Sequence, residues 1–390
     1  MSTQEQHNIY QKQHNLDQQG AGPGGEYPDG RLTPAQVELP QVHPNELPAF
    51  ASPDGDIRVI YKRDSMAVRY QKMVADLFTH YPDKAVILEK TMNGEFLAED
   101  IRSISRAAAF LMDTLRAAQA GEYTYDSEYM TQTLYQYQDI FFPQAMQLLS
   151  GEGMDTQVTA QHKNRDPLLH TCEAMASLVE TLIAFKDLDD QTISLEIIAI
   201  MLHDFGKLHN PKDISHPSGS IVWASEWITS IANQTAELVT NNNSPEDRNY
   251  FATEGAPVIE RASRYSAEEA GYMLRFLIQF HDIAGFIDAG RLSMEDGMTL
   301  LLSDDYIPNM QALLSLKRIQ DADMTAIPGM RQDFVAANRR ILDMLMQKIA
   351  TFRTQSGFEE ELVPRENVRP MSDAEVKQLF ATVAPATLTL

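Results

Sequence analysis

The sequence predicts an all-α protein: a helical bundle with an additional N-terminal helical region and a disordered N-terminal arm. From Asp166 onward, nearly every segment repeats apolar residues at helical spacing. Strand-like alternation is almost absent, apart from a short extended piece, IRVIYKR, at 57–63. The first 55 residues are rich in Gln, Gly and Pro. Such a composition cannot bury enough apolar surface to offset the entropy of ordering the chain.

Composition separates the arm from the rest of the chain. We assign 1–55 to the arm and 56–160 to a helical region that carries no recognised motif and is a candidate surface for a homodimer or a protein partner. Its helical patterns cover Ser65–Thr79, Leu97–Ala118 and Ser127–Leu149.

The larger part of the chain, 161–355, continues as a series of helices. The tail, 356–390, begins as a loop, and Ser372 with Glu375 forms a predicted capping box for a last short helix through Ala381. The predicted helices of the larger part are His170–Phe185, Ser194–His203, Ser220–Thr240, Ala267–Phe280, Ser293–Ser303, Met310–Ala326 and Arg331–Gln355.

Charge and composition limit the partners. The formal net charge is -23, from 55 acidic and 32 basic residues, and no Lys/Arg-rich run interrupts the acidic surface. Because this surface repels phosphate backbones, we expect no broad nucleic-acid surface and favour a small phosphorylated substrate. An apolar content of 43% is sufficient for a substantial core.

The sequence predicts a cytoplasmic protein. Its one cysteine, Cys172, cannot form an intramolecular disulfide and is expected to be a buried thiol. No stretch approaches the roughly 20 apolar residues of a membrane-spanning helix, and the N-terminus has no apolar signal-peptide core. We therefore expect no membrane partner, while export by a route without such a signature stays open.

An adjacent histidine and aspartate, His203 and Asp204, end the apolar run IIAIML. His170 lies upstream, and Asp321 and Asp323 lie far downstream. A single histidine on an apolar face is usually a hydrogen-bonded core residue, but the ordered set indicates a metal site. Imidazole suits Zn, Fe, Ni, Co and Mn, whereas carboxylate draws the site toward Mn or Mg. We expect one or two divalent metal ions per chain from this group.

The order His, His-Asp, Asp resembles the HD-domain superfamily of metal-dependent phosphohydrolases, over about 160–330. Its most specific element is LHDFGK, 202–207, which matches the family form HD-x-G-K, with Gly206 expected to let the helix end and the chain turn away. The resemblance implies metal ligation by His170, His203, Asp204 and a final aspartate. Ala322-Asp323 followed by Thr325-Ala326 resembles the family's closing A-D-x-x-A, so we prefer Asp323 to Asp321.

Two further histidines decide the number of metals. In HD proteins with a dinuclear centre, two histidines lie between the HD pair and the final aspartate, and the aspartate of the pair bridges both ions. His216, in a turn before a helix, is similar to the G-H-E-like element of the HD domains appended to bacterial tRNA nucleotidyltransferases, although Pro217 replaces the glutamate. His281 ends a helix in the matching place. Alternatively, the centre is mononuclear and these histidines bind phosphate.

Two cations accompany the motif. Lys207 and Arg165 could each neutralise a substrate phosphate as charge develops in the transition state, although a surface salt bridge explains either one almost as well. We interpret Asp282 as a partner of His281 or a helix-end residue. His162 and His209 are expected at the pocket rim or exposed.

The leading hypothesis is a phosphohydrolase or phosphodiesterase that hydrolyses a nucleotide or another phosphate ester through metal-activated water, with Asp204, Lys207 and Arg165 in catalytic roles. The absence of a nucleophile elbow, a P-loop and a CxxC motif agrees with it. A second hypothesis is a di-iron oxygenase resembling inositol oxygenase. A third is a nucleotide-binding regulatory protein that uses the bundle as a sensor.

Overall fold

A computed structural model describes residues 82–150, 166–208, 216–236, 250, 265–358, 361–369 and 371–381. All of them belong to one compact unit. The architecture is all-α, as the sequence predicts, and the described residues include one two-stranded sheet. The predicted arm, the extended piece 57–63 and the predicted helix Ser65–Thr79 lie outside the described residues.

Seven helices precede the His203-Asp204 pair within the described residues. They are α1 (Pro82–Met92), α2 (Leu97–Ala120), α3 (Ser127–Gln136), α4 (Gln138–Phe141), α5 (Gln144–Gln147), α6 (Pro167–Leu182) and α7 (Asp190–Leu202).

The pair is followed by a 3-10 helix, Phe205–Leu208, and then by further helices and the small antiparallel sheet. These elements are α8 (His216–Trp223), α9 (Ser225–Ala236), α10 (Ala267–Phe280), α11 (Ile283–Asp288), α12 (Met294–Leu301), β1 (Tyr306–Ile307), α13 (Met310–Ala326), α14 (Gln332–Gln355), β2 (Val363–Pro364), a 3-10 turn (Arg365–Asn367) and α15 (Asp373–Ala381).

Two predicted helices are interrupted. The single helix predicted for Ser127–Leu149 is wrong, because the segment divides into α3, α4 and α5. The first break lies at Tyr137, and the second lies at Phe142, which Pro143 holds extended at φ -120° and ψ 141°. The pattern at Ser220–Thr240 begins earlier and divides into α8 and α9. His216 is therefore the first residue of a helix rather than part of a turn before one.

Helix α7 lies at the centre of the bundle. Every residue from Gln191 to Leu202 is buried, and α7 packs against α2, α6, α10 and α13. A helix that is apolar on all sides is stable only when other helices cover each side. This burial places the residues at its C-terminal end, His203 and Asp204, inside the protein rather than on its surface.

Short polar caps fix where the two central helices begin. The Asp166 carboxylate accepts a hydrogen bond from Leu169 N at 2.7 Å to cap α6, and the Asp189 carboxylate accepts one from Thr192 N at 2.8 Å to cap α7. The predicted capping box of the last helix is also confirmed: Ser372 N donates to Glu375 Oε2 at 2.7 Å.

A buried ion pair joins α7 to α13. Glu196, fully buried on α7, accepts hydrogen bonds from Arg318 Nε at 2.9 Å and from Arg318 Nη2 at 2.5 Å. The Ser315 hydroxyl donates to the same carboxylate at 2.5 Å. Because a forked guanidinium contacts both carboxylate oxygens, the pair fixes the rotation and register of the two helices.

A second buried acid, Asp100, joins α2 to α9 next to the residues that follow His203-Asp204. Trp227 Nε1 donates to Asp100 Oδ2 at 3.0 Å, and the indole stacks on Phe205 with ring centroids 5.1 Å apart. Burial raises the pKa of Asp100 to about 6, although the hydrogen bond from Trp227 opposes this rise.

We predict that Asp100→Asn stabilises the protein at neutral pH. The folded state holds the Asp100 proton up to pH about 6 and the unfolded state only to its ordinary pKa of 3.8, so the stability that this group contributes is lost as pH rises between these values. Asparagine can still accept from Trp227 and carries no charge. The free energy of unfolding at pH 7 should rise by about 2 kcal/mol, after allowance for solvent screening.

Urea unfolding followed by circular dichroism at pH 4, 5, 6 and 7 measures this effect. The gain of the variant over the wild type should be near zero at pH 4 and grow toward pH 7. A gain that is the same at every pH would contradict the assignment.

Candidate metal centre

Backbone carbonyls orient two of the clustered histidines. His203 Nδ1 lies 2.6 Å from the carbonyl of Ile200, and His281 Nδ1 lies 2.7 Å from that of Ile278. A carbonyl only accepts, so Nδ1 is protonated in both rings and Nε2 is the nitrogen directed into the cluster. This arrangement is typical of metal-ligating histidines, whose second nitrogen is held by a neighbouring acceptor.

The first group of candidate ligands comes from three helices. His170 on α6, His203 at the end of α7 and Asp323 on α13 bring their ligand atoms together. Asp323 Oδ1 lies 2.7 Å from His170 Nε2 and 3.3 Å from His203 Nε2. Both histidines are almost completely buried, whereas 13% of the Asp323 side chain is exposed.

The second group faces the first across Asp204. His216 at the start of α8, His281 at the end of α10 and Asp282 form this group. The two Nε2 atoms are 3.3 Å apart, and Asp282 Oδ2 lies 3.4 Å from His216 Nε2 and 3.5 Å from His281 Nε2.

Each oxygen of Asp204 faces a different group. Asp204 Oδ2 lies 3.4 Å from His203 Nε2 and 3.8 Å from His170 Nε2. Asp204 Oδ1 lies 3.1 Å from His216 Nε2. The carboxylate is completely buried, and these distances place both of its oxygens in the cluster.

The separations match those between ligands of one ion. With bonds of about 2.1 Å, two ligands lie about 3.0 Å apart at octahedral angles and about 3.4 Å apart at tetrahedral angles. Most of the distances within the two groups fall near this range. The pair His170–Asp323 is closer, at the length of a direct hydrogen bond.

Two buried polar atoms of the cluster make no hydrogen bond with any described residue: His203 Nε2 and Asp204 Oδ1. Neighbouring atoms lie within 3.4 Å of both, but not in hydrogen-bonding alignment. A buried polar atom without a hydrogen bond is costly, and a metal ion bound to it removes that cost. The donor set therefore fits a divalent ion.

The electrostatics also favour a cation. Burial alone would lower the pKa of His203, but the carboxylates of Asp204 and Asp323 outweigh it and raise the pKa to about 9. Burial opposes ionisation of these acids, yet His203 and Lys207 hold the pKa of Asp204 well below its ordinary value, and His170 with His203 does the same for Asp323. Burial lowers the pKa of His281. Ionised carboxylates in an apolar core attract positive charge, which a divalent ion supplies.

Lys207 contacts the cluster directly. Its Nζ lies 2.5 Å from Asp204 Oδ2, and 9% of its side chain is exposed. The 3-10 helix that follows the pair turns Lys207 back toward Asp204, with Lys207 N donating to Asp204 O at 2.9 Å. The cation is thus held beside the candidate metal ligands rather than on the outer surface.

Gly206 permits the close contact between this turn and α8. A Cβ added to Gly206 would lie 2.0 Å from His216 O and 2.7 Å from Ser220 N. Helix α7 ends before Gly206, as expected, and Gly206 is not among the described glycines with positive φ. The glycine is needed because two backbones meet there.

The Ser220 hydroxyl strengthens the same contact. It accepts from Gly206 N at 2.7 Å and lies 2.7 Å from His203 O and 3.0 Å from His216 O. One side chain thus connects the ends of the turn with the first residue of α8. The two groups of candidate ligands are held together through it.

The structure brings together all six predicted ligands: His170, His203, Asp204, His216, His281 and Asp323. Their role as metal ligands remains a prediction. Asp321 lies apart, accepting from Arg339 Nε at 2.9 Å. Arg165, His162 and His209 lie outside the described residues.

Asp282 is a member of the cluster that the sequence pattern did not assign as a ligand. Its signal was present in the sequence, because His281-Asp282 repeats the His-Asp pairing of 203–204. Nothing local distinguishes a carboxylate that faces its neighbouring imidazole from one that faces solvent. Only the position of His216, on another helix, reveals which way Asp282 is directed.

A cavity of about 470 Å³ is lined mostly by polar residues of α3, α6 and α13, none of which is a member of the cluster. It includes Glu173, one helical turn after His170, and Thr325, two residues after Asp323. The other lining residues are Ser127, Glu128, Thr131, Ser177, Glu180, Thr181 and Ala326. Hydroxyls and carboxylates dominate this lining.

Comparison with known proteins gives no match: no protein-family model, no curated protein and no solved structure matches this chain. Among the described residues, no helix combines the length and apolar character needed to cross a bilayer. Cys172 is buried, as expected, and burial raises its pKa well above the ordinary value.

We predict that Gly206→Ala lowers both stability and metal content, because the added methyl group forces the turn away from α8. The free energy of unfolding should fall by about 2 kcal/mol or more, as for other overpacked sites. The control is Gly285→Ala on α11, where an added Cβ would approach Asn338 Oδ1 no closer than 3.7 Å, an ordinary contact. Thermal unfolding and elemental analysis should show a loss in the first variant and little change in the second.

We predict unequal effects of Asp323→Asn and Asp321→Asn. Asp323 contacts His170 and His203, whereas Asp321 pairs with the half-exposed Arg339, a pair worth at most about 1 kcal/mol. Loss of a direct ligand should weaken metal binding by more than the roughly 10- to 100-fold typical of losing a ligand's partner. Titration with Mn²⁺ measures both variants. Equal affinities would remove Asp323 from the ligand set.

Proposed function

We propose that this chain is a metal-dependent phosphohydrolase of the HD-domain type, acting on a nucleotide or another phosphate ester. The observation that carries the proposal is the meeting of His170, His203, Asp204 and Asp323 from three helices, with Lys207 held against Asp204. The sequence order of these residues is the order that resembles the HD superfamily.

The ion and the residues of the cluster would have different roles. A divalent ion bound there would supply Lewis acidity and lower the pKa of a bound water. His170, His203 and Asp323 would hold such an ion, and Asp204 would contribute to both groups. Two imidazoles in each group favour Mn, Fe, Co, Ni or Zn over Mg, which prefers oxygen ligands.

Lys207 is the group best placed to meet a phosphoryl oxygen. Its ammonium lies at the cluster, and Asp204 holds it in position. As negative charge develops on the phosphoryl group, a positioned cation stabilises it more strongly in a partly dry site than in water. Asp282 and Asp323 are the more exposed members of the cluster, so we expect substrate to approach from their side.

The acidic cavity suits the uncharged part of a substrate. Glu128, Glu173 and Glu180 would repel a phosphate there, while the hydroxyls of Ser177 and Thr181 can hydrogen-bond a sugar. A substrate with a phosphate at the metal centre and a ribose in this cavity meets both requirements. This favours a nucleotide over a phosphate ester without a sugar.

The oxygenase hypothesis uses the same residues, since four histidines and three carboxylates also suit a pair of irons. Its expected signs are a tightly bound, coloured iron centre and oxygen consumption. The sensor hypothesis expects nucleotide binding without turnover.

The test measures hydrolysis by the full chain loaded with Mn²⁺, Co²⁺, Ni²⁺, Zn²⁺ or Mg²⁺. Nucleotides, cyclic nucleotides and a generic phosphodiester are supplied, and products are separated by chromatography. We expect hydrolysis of at least one nucleotide, a loss of about 100-fold or more in His203→Ala and in Asp204→Ala, and little change in Asp321→Asn.

Metal content and circular dichroism accompany each assay. The two alanine variants should lose metal while staying helical, because the ligands carry the chemistry and the helices carry the fold. Full metal content in both variants, or no hydrolysis of any substrate by metal-loaded wild type, would sink the proposal.

A further inference from the structure

The carboxylate of Asp282 occupies, in the second group, the place that Asp323 occupies in the first. Each group contains two imidazole Nε2 atoms and one aspartate oxygen within ligand distance of one another. Asp323 Oδ1 lies 2.7 Å and 3.3 Å from its two histidines, and Asp282 Oδ2 lies 3.4 Å and 3.5 Å from its own. The two groups therefore correspond in the type of ligand, in the number of ligands and in the distances between them.

Asp204 joins the two groups. Its Oδ2 faces the histidines of the first group, and its Oδ1 lies 3.1 Å from His216 of the second. Oδ1 is buried and forms no hydrogen bond with the described residues, so this oxygen can act as a metal ligand on the side of the second group. With Asp282, the second group offers two imidazoles and two carboxylates, which is a sufficient set for a divalent ion with room for water.

We propose that Asp282 is the carboxylate ligand of a second metal site, formed with His216 and His281 and bridged to the first by Asp204. This inference rests on the proposed metal-dependent function and adds a seventh protein ligand to it. Asp282 stands at the N-cap position of α11, but its side chain makes no capping hydrogen bond, so capping does not account for the direction of the carboxylate.

The two sites differ in exposure. The Asp282 side chain is 34% exposed and that of Asp323 is 13% exposed. The second site therefore exchanges its ion more readily and offers the open coordination position to water or substrate. A more open site with one exposed ligand binds its ion more weakly than the buried first site.

The test uses the full chain and Mn²⁺ as probe. Elemental analysis after equilibrium dialysis should give about two Mn²⁺ per wild-type chain, and electron paramagnetic resonance should show exchange coupling between ions that share a bridging carboxylate. In Asp282→Ala and Asp282→Asn, the content should fall toward one per chain, and the coupling should disappear. Asp288→Asn, an exposed acid on the adjoining helix α11, should behave like the wild type.

Asp282→Asn keeps the size of the side chain, and circular dichroism verifies that each variant is folded. Two coupled ions in the folded Asp282 variants, or a wild-type content of one, would overturn the inference. Loss of the coupled site in a protein that hydrolyses no phosphate ester would support the second site and refute the proposed function. Hydrolysis of a phosphate ester by variants that keep both ions would support the proposed function and refute Asp282 as a ligand.

Discussion

The ion pair between Glu196 and Arg318 is the interaction on which the centre of this bundle depends. Helix α7 is buried on every side, and Glu196 is its one charged residue between Gln191 and Leu202. A buried carboxylate must be paired, because an uncompensated charge in the core costs several kcal/mol. Arg318 meets this requirement from α13 and so attaches the helix that ends in His203-Asp204 to the helix that carries Asp323.

The candidate metal centre also consists of buried polar groups that require partners. Asp204 and the cluster histidines are buried, and hydrogen bonds among the described residues do not satisfy all of their polar atoms. Backbone carbonyls fix the histidine rings, Ser220 fixes the turn, and Gly206 lets α8 approach. The surrounding apolar helices pack around these elements and hold the candidate ligand atoms at their separations.

Much of this organisation could be predicted from the sequence, and the failures have physical causes. Periodicity predicted α10 and α13 with the bounds observed, because each has a buried face of regular spacing. It failed at Ser127–Leu149, where Pro143 interrupts the backbone despite apolar residues on both sides. The ordered histidines and aspartates predicted which residues meet. The inward direction of Asp282 and the need for Gly206 depend instead on α8, which is distant in sequence from Asp282 and begins ten residues after Gly206.

The stacking of Trp227 on Phe205 has a spectroscopic consequence. The protein has two tryptophans, Trp223 and Trp227, and Phe205 directly follows Asp204. The native tryptophan fluorescence of the whole chain therefore originates beside the cluster. Ions with partly filled d shells quench a nearby indole, whereas Mg²⁺ and Zn²⁺ with closed shells do not. The fold thus contains its own optical probe of which kind of ion is bound.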